Sequence, residues 1–302
     1  MVAMVMSQPL SANSPTPAAE MRAALAEVTV VVVNYNSGPW LQRSIRALRR
    51  AVLDQPQIVV VDNASSDGSA EMLSEFDQVR YLPQTTNLGF ARGVNLAAQQ
   101  VSTPYMLVHN PDCLIVPDNL VRLLDLMKAQ PQAAIISGRV FDMRGIEQRG
   151  SRRVLPTPRR ILAEWLGRGD GLDHSHLPAP DQAAAVEAVS GACMLIRRSA
   201  FEAIGGMDES YPMHFEDLDL MARLQQAGHE VWLQPEVAIS HAGGVSSNHH
   251  PVQVMCNKHI GLWRYLNQHC RQQWPAWSRP LWALALITHA ALQVPVILWR
   301  SR

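Results

Sequence analysis

The chain has 302 residues, enough for one large α/β domain with an appendage or for two small domains. Its 26 Lys plus Arg balance 26 Asp plus Glu, so no net field draws it to a polyanion and no nucleic-acid partner is expected. Cys113, Cys193, Cys256 and Cys270 are scattered without a CxxC pair, which suits core thiols in a reducing compartment better than a disulfide framework or a zinc site.

Residues 1–25 are rich in Ser, Pro and Ala and lack a basic segment followed by an apolar one, so they read as a flexible tail rather than a secretory signal. Residues 28–33 form a β-branched run, apolar apart from Thr29. A polar turn over 34–39 follows, then Leu41, Ile45 and Leu48 at helical spacing. This predicts a buried parallel strand, a loop and a helix. The pattern repeats with a strand at 58–61, a polar loop at 62–68 and a short helix starting at 70–73. Two such units imply a parallel sheet wound in the right-handed sense. A strand at 79–82, a glycine-bearing loop at 87–93, a helix around 94–100 and a strand at 105–109 complete the first half. All its polar loops follow strands, where α/β sheets bind ligands.

Beyond Asp112 the pattern changes. Asp118 is placed to cap a helix carrying Leu120, Leu124 and Met127, and 134–136 reads as a short strand. The stretch 150–185 holds Pro156, Pro158, Pro178 and Pro180 with little periodicity, and is expected to be a long surface excursion that shapes an acceptor site. A strand is expected at 186–196, then a helix opened by a Ser199/Glu202 capping box and ended by Gly205 and Gly206. Residues 216–227 read as a helix with Leu220 and Leu224 on one face and Gly228 as its stop. Short strands at 231–233 and 237–240 precede His241, while His249 and His250 read as solvated loop residues. Residues 246–302 form a helical extension. Its apolar part, 280–299, lies between Arg279 and Arg300 but is interrupted by His289, Gln293 and Pro295, and barely reaches the roughly 20 residues of a spanning helix. Two readings stay open: an interfacial helix with Trp282 and Trp299 near headgroups, or a helix packed on the domain or on a second copy of the chain.

Three loops carry candidate chemistry. Asp62 and Asn63, with Ser65, Asp67 and Gly68 behind them, offer acceptors to a base or ribose edge, and Asn34 and Asn36 can face the same crevice; the same residues also make good turns. In 87–95, Arg92 can reach a diphosphate or pair with a surface carboxylate, and the loop lacks the Lys and Ser or Thr of a P-loop. Asn110-Pro111-Asp112 places a carboxylate where a divalent cation would offset the charge of a departing nucleotide diphosphate.

VVVVNYNS at 30–37, VVVDNASSDGS at 59–69, NLGFARGVN at 87–95, NPDC at 110–113, SGACMLIRR at 190–198 and GGMDESYPMHFEDLDL at 205–220 occur in the order found in glycosyltransferase family 2. The chain resembles that family, and most closely its rhamnosyltransferase-like branch. The resemblance implies a GT-A (Rossmann-like) fold: a mostly parallel twisted sheet flanked by helices over 26–245, with a nucleotide half to about 112 and an acceptor half beyond it. It also implies a nucleotide-sugar site built from Asn34, Tyr35, Asn36, Asp62, Asn63, Ser65, Asp67, Asn87, Gly89, Arg92, Asn95 and Asn110. Asp112 matches the last aspartate of the family's DxD element, with Asn110 in place of the first, and His241 matches a metal or diphosphate ligand; the implied cofactor is Mg2+ or Mn2+. Asp217 matches the general base, with Glu216 beside it. Inversion in one displacement needs one such carboxylate. Repulsion among Glu216, Asp217 and Asp219 is expected to raise a carboxylate pKa there, and helix capping is the alternative role for the three.

The implied activity is inverting transfer of a sugar, rhamnose from dTDP-rhamnose by branch resemblance, to a hydroxyl of a glycan or lipid-linked acceptor, by a cytoplasmic protein at the inner face of the membrane, as a monomer or homo-oligomer. The alternatives are another nucleotide-sugar donor, or a catalytically silent sugar-nucleotide binder. A nucleotidyltransferase or a dehydrogenase fits less well, since no basic glycine-rich loop follows the first strand and no GxGxxG follows any strand.

Overall fold

Valines in β1 alternate between two cores, and that alternation sets the architecture. Val31 and Val33 enter one apolar cluster together with Val59 and Val61. Val28, Val30 and Val32 enter the other with Ile58 and Val60. A strand buried on both faces is the signature of a sheet covered by helices on each side. The computed structural model describes residues 17–50, 56–243 and 251–300.

In chain order, the first half comprises α1 (Pro17–Leu25), β1 (Val28–Asn34), α2 (Trp40–Leu48), β2 (Gln57–Asp62), a 3-10 turn (Glu71–Glu75), β3 (Val79–Pro83), α3 (Phe90–Ala98) and β4 (Tyr105–His109). The second half follows with β5 (Cys113–Leu114), α4 (Pro117–Ala129), β6 (Ala133–Phe141), β7 (Arg152–Arg153), α5 (Pro158–Trp165), β8 (Ala184–Val186), β9 (Ala188–Val189), β10 (Cys193–Arg197) and α6 (Arg198–Ala203). It ends with α7 (Glu216–Gln226), β11 (Glu230–His241), α8 (Pro251–His269) and α9 (Arg279–Arg300).

The main sheet runs β3-β2-β1-β4-β10-β6-β11-β5, with β8 also paired to β11. β3, β2, β1 and β4 are parallel, as the two strand-loop-helix units require. β10 enters antiparallel between β4 and β6, β11 runs parallel to β6, and β5 closes the edge antiparallel. The sheet is therefore parallel in its first half and mixed in its second. Helices α3, α6 and α7 cover one face and α2 and α4 the other. Where β6 passes β11 a bulge intervenes between Leu233 and Ala238. Gly138 sits there, and any Cβ on it would fall 2.3 Å from the Val237 carbonyl, so only glycine fits.

Several local expectations change. The chain is helical from Pro17, and Leu25 is fully buried against the α4 face, so the flexible tail does not extend to residue 25. Asp118 lies inside the first turn of α4, whose N-cap is Val116 with no side-chain cap, because Pro117 already starts the helix. The Ser199/Glu202 box does not form: α6 begins at Arg198, and Glu202 pairs with that arginine at 2.7 Å. The single strand expected at 186–196 is β8, β9 and β10, broken by Gly191, while the two short strands at 231–240 are one bulged β11. The excursion at 150–185 is partly ordered, with β7 pairing β9 and α5 capped by the Thr157 side chain. Gly228 does follow α7 in a left-handed conformation.

Candidate active site

The first two loops are knitted together by their own side chains. Asn34, fully buried, donates to Asp62 Oδ1 at 2.7 Å, to Ser65 Oγ at 3.1 Å and to Ser69 Oγ at 3.0 Å, and accepts from Ser37. The Asn36 backbone donates to Ser65 Oγ, and the Asn36 side chain accepts from Ser66 N at 2.8 Å. Asp67 accepts from Gly38 N and from Ser69. Burial works against ionisation of Asp67, but the hydrogen bonds from Ser69 and Gly38 prevail and hold its pKa below the ordinary value. Most polar groups of this crevice are thus spent on fixing its shape, with Tyr35 half-exposed at its rim. Both the turn-forming and the ligand-facing readings of these residues therefore apply: the side chains build the loops, and the loops line the carboxyl edge of β1 and β2.

The third loop is tied to the second. Asn63 donates to the Gly89 carbonyl at 3.2 Å, and Asn87 accepts from Gly89 N at 2.9 Å. Gly89 adopts φ 85°, a conformation that glycine reaches without penalty. Arg92 projects outward, 3.6 Å from Glu209, with both side chains largely exposed. Asn95 is committed elsewhere: its amide accepts from Met207 N and donates to Met207 O and Glu209, each within 3.0 Å, so it pins the 205–209 loop to α3 rather than presenting itself to a donor.

Asp112 and His241 meet across the sheet. Asp112 Oδ1 lies 3.2 Å from His241 Nε2, because Asp112 O accepts from Ala242 N and Asp112 Oδ2 accepts from Gly243 N. Gln148 donates to His241 O at 2.8 Å, and its Oε1 faces His241 Nδ1 at 2.8 Å. That contact fixes the orientation of the ring, with Nε2 facing a carboxylate oxygen. A ring nitrogen and a carboxylate oxygen 3.2 Å apart are placed to pair with each other or to bind side by side to one cation, and a side chain that fixes the second ring nitrogen is the usual support for a histidine ligand. No cluster of three or more His, Cys, Asp or Glu suited to a metal occurs among the described residues, so diphosphate oxygens and water would complete the shell.

The acidic stretch at the start of α7 divides into three environments. Asp219 is fully buried and bound by Arg223 at 2.8 Å, His269 at 2.7 Å and Gln268 at 3.0 Å, so it anchors α8 to α7. Asp217 Oδ2 accepts from Arg153 Nη2 and from Gly191 N at 3.2 Å, and its Oδ1 accepts from Leu218 N at 2.8 Å. Burial pulls the Asp217 pKa up, but the Arg153 charge and hydrogen bond outweigh it and hold the carboxyl below its ordinary range. Glu216 is the group raised well above its ordinary value, by burial first and by Asp217 second. The expected rise from mutual repulsion therefore falls on Glu216 and not on Asp217, since Arg153 neutralises the latter. None of the three acids is the N-cap, which is Phe215 without a side-chain bond, but Asp217 Oδ1 does accept the first-turn N–H of Leu218.

One turn lies between the Asn110–Asp112 loop and Asp217. Asn110 N donates to Ala192 O at 2.8 Å, and the neighbouring Gly191 donates to Asp217. A Cβ on Gly191 would lie 2.7 Å from Asp217 Oδ2, so glycine allows the carboxylate to rest directly on this turn. Asn110 and Asp217 thus both touch the turn that precedes β10, and Asp112 and His241 follow where β5 pairs with β11, while a cavity of about 370 Å³ beside α5, α7 and α8 includes neither Asp112 nor Asp217. Arg153, Gln148 and His214 had no signal in the sequence: Arg153 meets Asp217 across 64 positions and Gln148 meets His241 across 93.

Comparison with known proteins places the chain in a family. The chain is 30% identical over 303 residues to an N-acetylglucosaminyl-diphospho-decaprenol L-rhamnosyltransferase of Mycobacterium tuberculosis, covering 90% of this chain and 94% of the relative. It is 23% identical over 210 residues to rhamnosyltransferase WbbL of Escherichia coli, covering 67% and 78% respectively. Among solved structures it is similar to a mannosyltransferase of Pyrobaculum calidifontis in complex with GDP-Man and Mn2+, with TM-score 0.56 and 16% identity over 91% of this chain and 72% of that one. It also resembles GalNAc-T7 with UDP, GalNAc and Mn2+, with TM-score 0.53 and 16% identity, covering 71% of this chain and 43% of that longer one. These likenesses carry the GT-A fold. With the pattern of glycosyl transferase family 2 matching residues 29–205, the chain belongs to that family and is a glycosyltransferase of its rhamnosyltransferase-like group.

Proposed function

We propose that the protein transfers L-rhamnose from dTDP-rhamnose, with inversion, to a hydroxyl of a lipid-linked glycan such as an N-acetylglucosaminyl-diphospho-lipid, in the synthesis of an envelope polysaccharide. The observation that carries this reading is the turn at Gly191 and Ala192, where Gly191 N bonds Asp217 and Ala192 O accepts from Asn110 N, two residues before the Asp112 that faces His241. The knitted loops at Asn34, Asp62 and Asn87 receive the nucleotide. Asp217 takes the proton from the acceptor hydroxyl as its oxygen bonds to the anomeric carbon, and the bond from that carbon to the diphosphate breaks, releasing dTDP. Asp217 Oδ1, which accepts one bond among the described residues, has a further lone pair to offer this proton. Asp112 and His241 would hold a divalent cation, which when bound neutralises charge on the leaving diphosphate. The relatives' names support the rhamnosyl donor and lipid acceptor, and the Mn2+ in the two solved neighbours supports the cation.

Among the described residues no helix is long and apolar enough to cross a membrane. α9 nevertheless exposes Leu281, Leu284, Ile287 and Leu292 in one stripe, and 280–299 carries no charge. We place that stripe against the cytoplasmic face of a membrane, where a lipid-linked acceptor is met. Asp217→Asn tests the chemistry: transfer is lost while donor binding stays within about a few fold. Retained transfer would put the base elsewhere.

A further inference from the structure

The cavity of about 370 Å³ between α5, α7 and α8 takes no part in the chemistry described above, since none of the residues assigned to the donor, the cation or the base lines it. Its size is that of a small ligand pocket. On α7 its wall is formed by Ala222, Gln225 and Gln226, which lie five to nine positions beyond Asp217 and so about 8–14 Å further along the helix.

One buried group in that wall is unsatisfied. Tyr265 of α8 is 2% exposed, and its hydroxyl makes no hydrogen bond with any described residue. Burial, then Cys270, Asp219 and Glu187, raise its pKa against the opposing Arg160, so the oxygen keeps its proton. Cys270, Glu187 and Arg160 themselves line the cavity, which locates the hydroxyl at that wall. An enclosed hydroxyl without a partner is costly, and native domains hold few of them. The neighbouring amides also have capacity to spare. Gln225 Nε2 donates to Glu187 O at 2.7 Å and Gln226 Nε2 faces His269 Nδ1 at 3.0 Å, which leaves each amide oxygen unengaged among the described residues. The Gln273 amide bonds to none of them.

Charge and apolar surface then select the ligand. Arg160 grips Glu187 at 2.6 and 2.7 Å, and His269 is spent on Asp219 at 2.7 Å, so the wall offers no uncompensated cation to a phosphate or carboxylate. A bare hydrocarbon chain would leave the Tyr265 hydroxyl and the amides unpaired. Leu155, Pro156 and Ala222 supply apolar surface beside them. An uncharged molecule with a C–H face and a rim of hydroxyls meets all three conditions, and a pyranose is such a molecule.

We propose that this cavity is a second sugar-binding site, separate from the centre where transfer occurs, which holds a neutral pyranose through the Tyr265 hydroxyl and the amides of Gln225, Gln226 and Gln273. It goes beyond the transfer reading and does not depend on which donor or acceptor that reaction uses. The test titrates the full chain, saturated with dTDP to occupy the donor site, with methyl rhamnoside, methyl N-acetylglucosaminide and a trisaccharide of N-acetylglucosamine, followed by saturation-transfer NMR. The wild type binds at least one of them. Tyr265→Phe, which removes one oxygen and keeps the ring, weakens that binding about tenfold. Ala222→Leu, which fills the cavity, abolishes it, and keeps the site testable should the first variant fold poorly. Tighter binding of the trisaccharide than of either methyl glycoside assigns the site to a glycan chain, and equal affinity assigns it to a free sugar; both uphold it. No binding of any of the three by the wild type, or unchanged affinity in both variants, overturns it. Both variants transfer to a single-sugar lipid acceptor at the wild-type rate; a loss of transfer that matches the loss of binding would make the cavity part of the catalytic centre and overturn a separate site. Absence of transfer by the wild type removes the proposed reaction while the binding result stands.

Discussion

Replacing Arg153 with Met keeps most of the side-chain stem and removes the charge that faces Asp217. The two side chains are 21% and 15% exposed, so the pair is substantially withdrawn from water. Unit charges about 4 Å apart attract by roughly 4 kcal/mol at an effective dielectric near 20, and removing one partner of a buried pair costs about 3–5 kcal/mol. Allowing for the partial exposure, Arg153→Met should lose about 2–4 kcal/mol in urea or thermal unfolding. Asp217→Asn made on top of it should then cost much less than it does alone, giving a coupling of about 1–3 kcal/mol in a double-mutant cycle. The pH dependence follows in sign. In the wild type the folded pKa of Asp217 is depressed, so it stabilises the protein above the unfolded carboxylate value, and that contribution is lost as pH falls through the folded pKa. In Arg153→Met the Leu218 hydrogen bond and His214 are left to oppose burial, so the folded pKa rises and the stabilisation that Asp217 adds above the ordinary carboxylate value is lost. The stability gap between the two proteins should therefore widen as pH rises from the depressed folded pKa of Asp217 through the ordinary carboxylate value of about 4 and beyond, and the acid limb of the transfer rate should move to higher pH in the variant. Additive single and double effects, or a gap independent of pH, would refute the coupling on which the description of Asp217 depends.

Four other outcomes are expected. Gly191→Ala should lower kcat by roughly 10²-fold and cost about 1–3 kcal/mol of stability, because its Cβ would press on Asp217 Oδ2 at 2.7 Å and on Asp217 Cβ at 2.8 Å; a steady-state assay with normal kcat would show that this turn does not position the base. Asp219→Asn removes charge facing Arg223 and His269 and should cost about 2–4 kcal/mol in chemical denaturation, whereas a loss under about 1 kcal/mol would mean that α8 is held by other contacts. Asp112→Asn should weaken Mn2+-dependent dTDP binding by about tenfold or more in calorimetry, and equal binding with and without Mn2+ in the wild type would contradict the cation pair. Leu284→Glu combined with Ile287→Glu should abolish sedimentation with anionic lipid vesicles while leaving transfer to a short-chain acceptor unaltered; undiminished sedimentation would remove α9 from the membrane reading.

The first half of the fold was legible because its signals are local. β-branched runs at 28–33 and 58–61, each followed by polar turn residues, specify buried parallel strands whatever lies elsewhere in the chain. The carboxyl edge was legible for the same reason, since Asn34, Asp62, Asn63 and Asn110 sit where each strand must stop. Helix starts were less secure. Asp118 and Ser199 look like caps in isolation, yet Pro117 and the Arg198–Glu202 pair begin those helices one residue earlier.

What the tertiary structure alone decided is the division of labour among residues that look alike in sequence. Glu216, Asp217 and Asp219 share one turn of helix, but α8 reaches Asp219 through His269, β7 reaches Asp217 through Arg153, and nothing among the described residues reaches Glu216 Oε2. Asn95 reads as a donor contact until the 205–209 loop folds onto it. Alternation and turn chemistry act over a few residues and are written in the chain itself. The charge state and availability of a side chain depend instead on partners brought from 50 or 64 positions away, and local sequence carries no record of them.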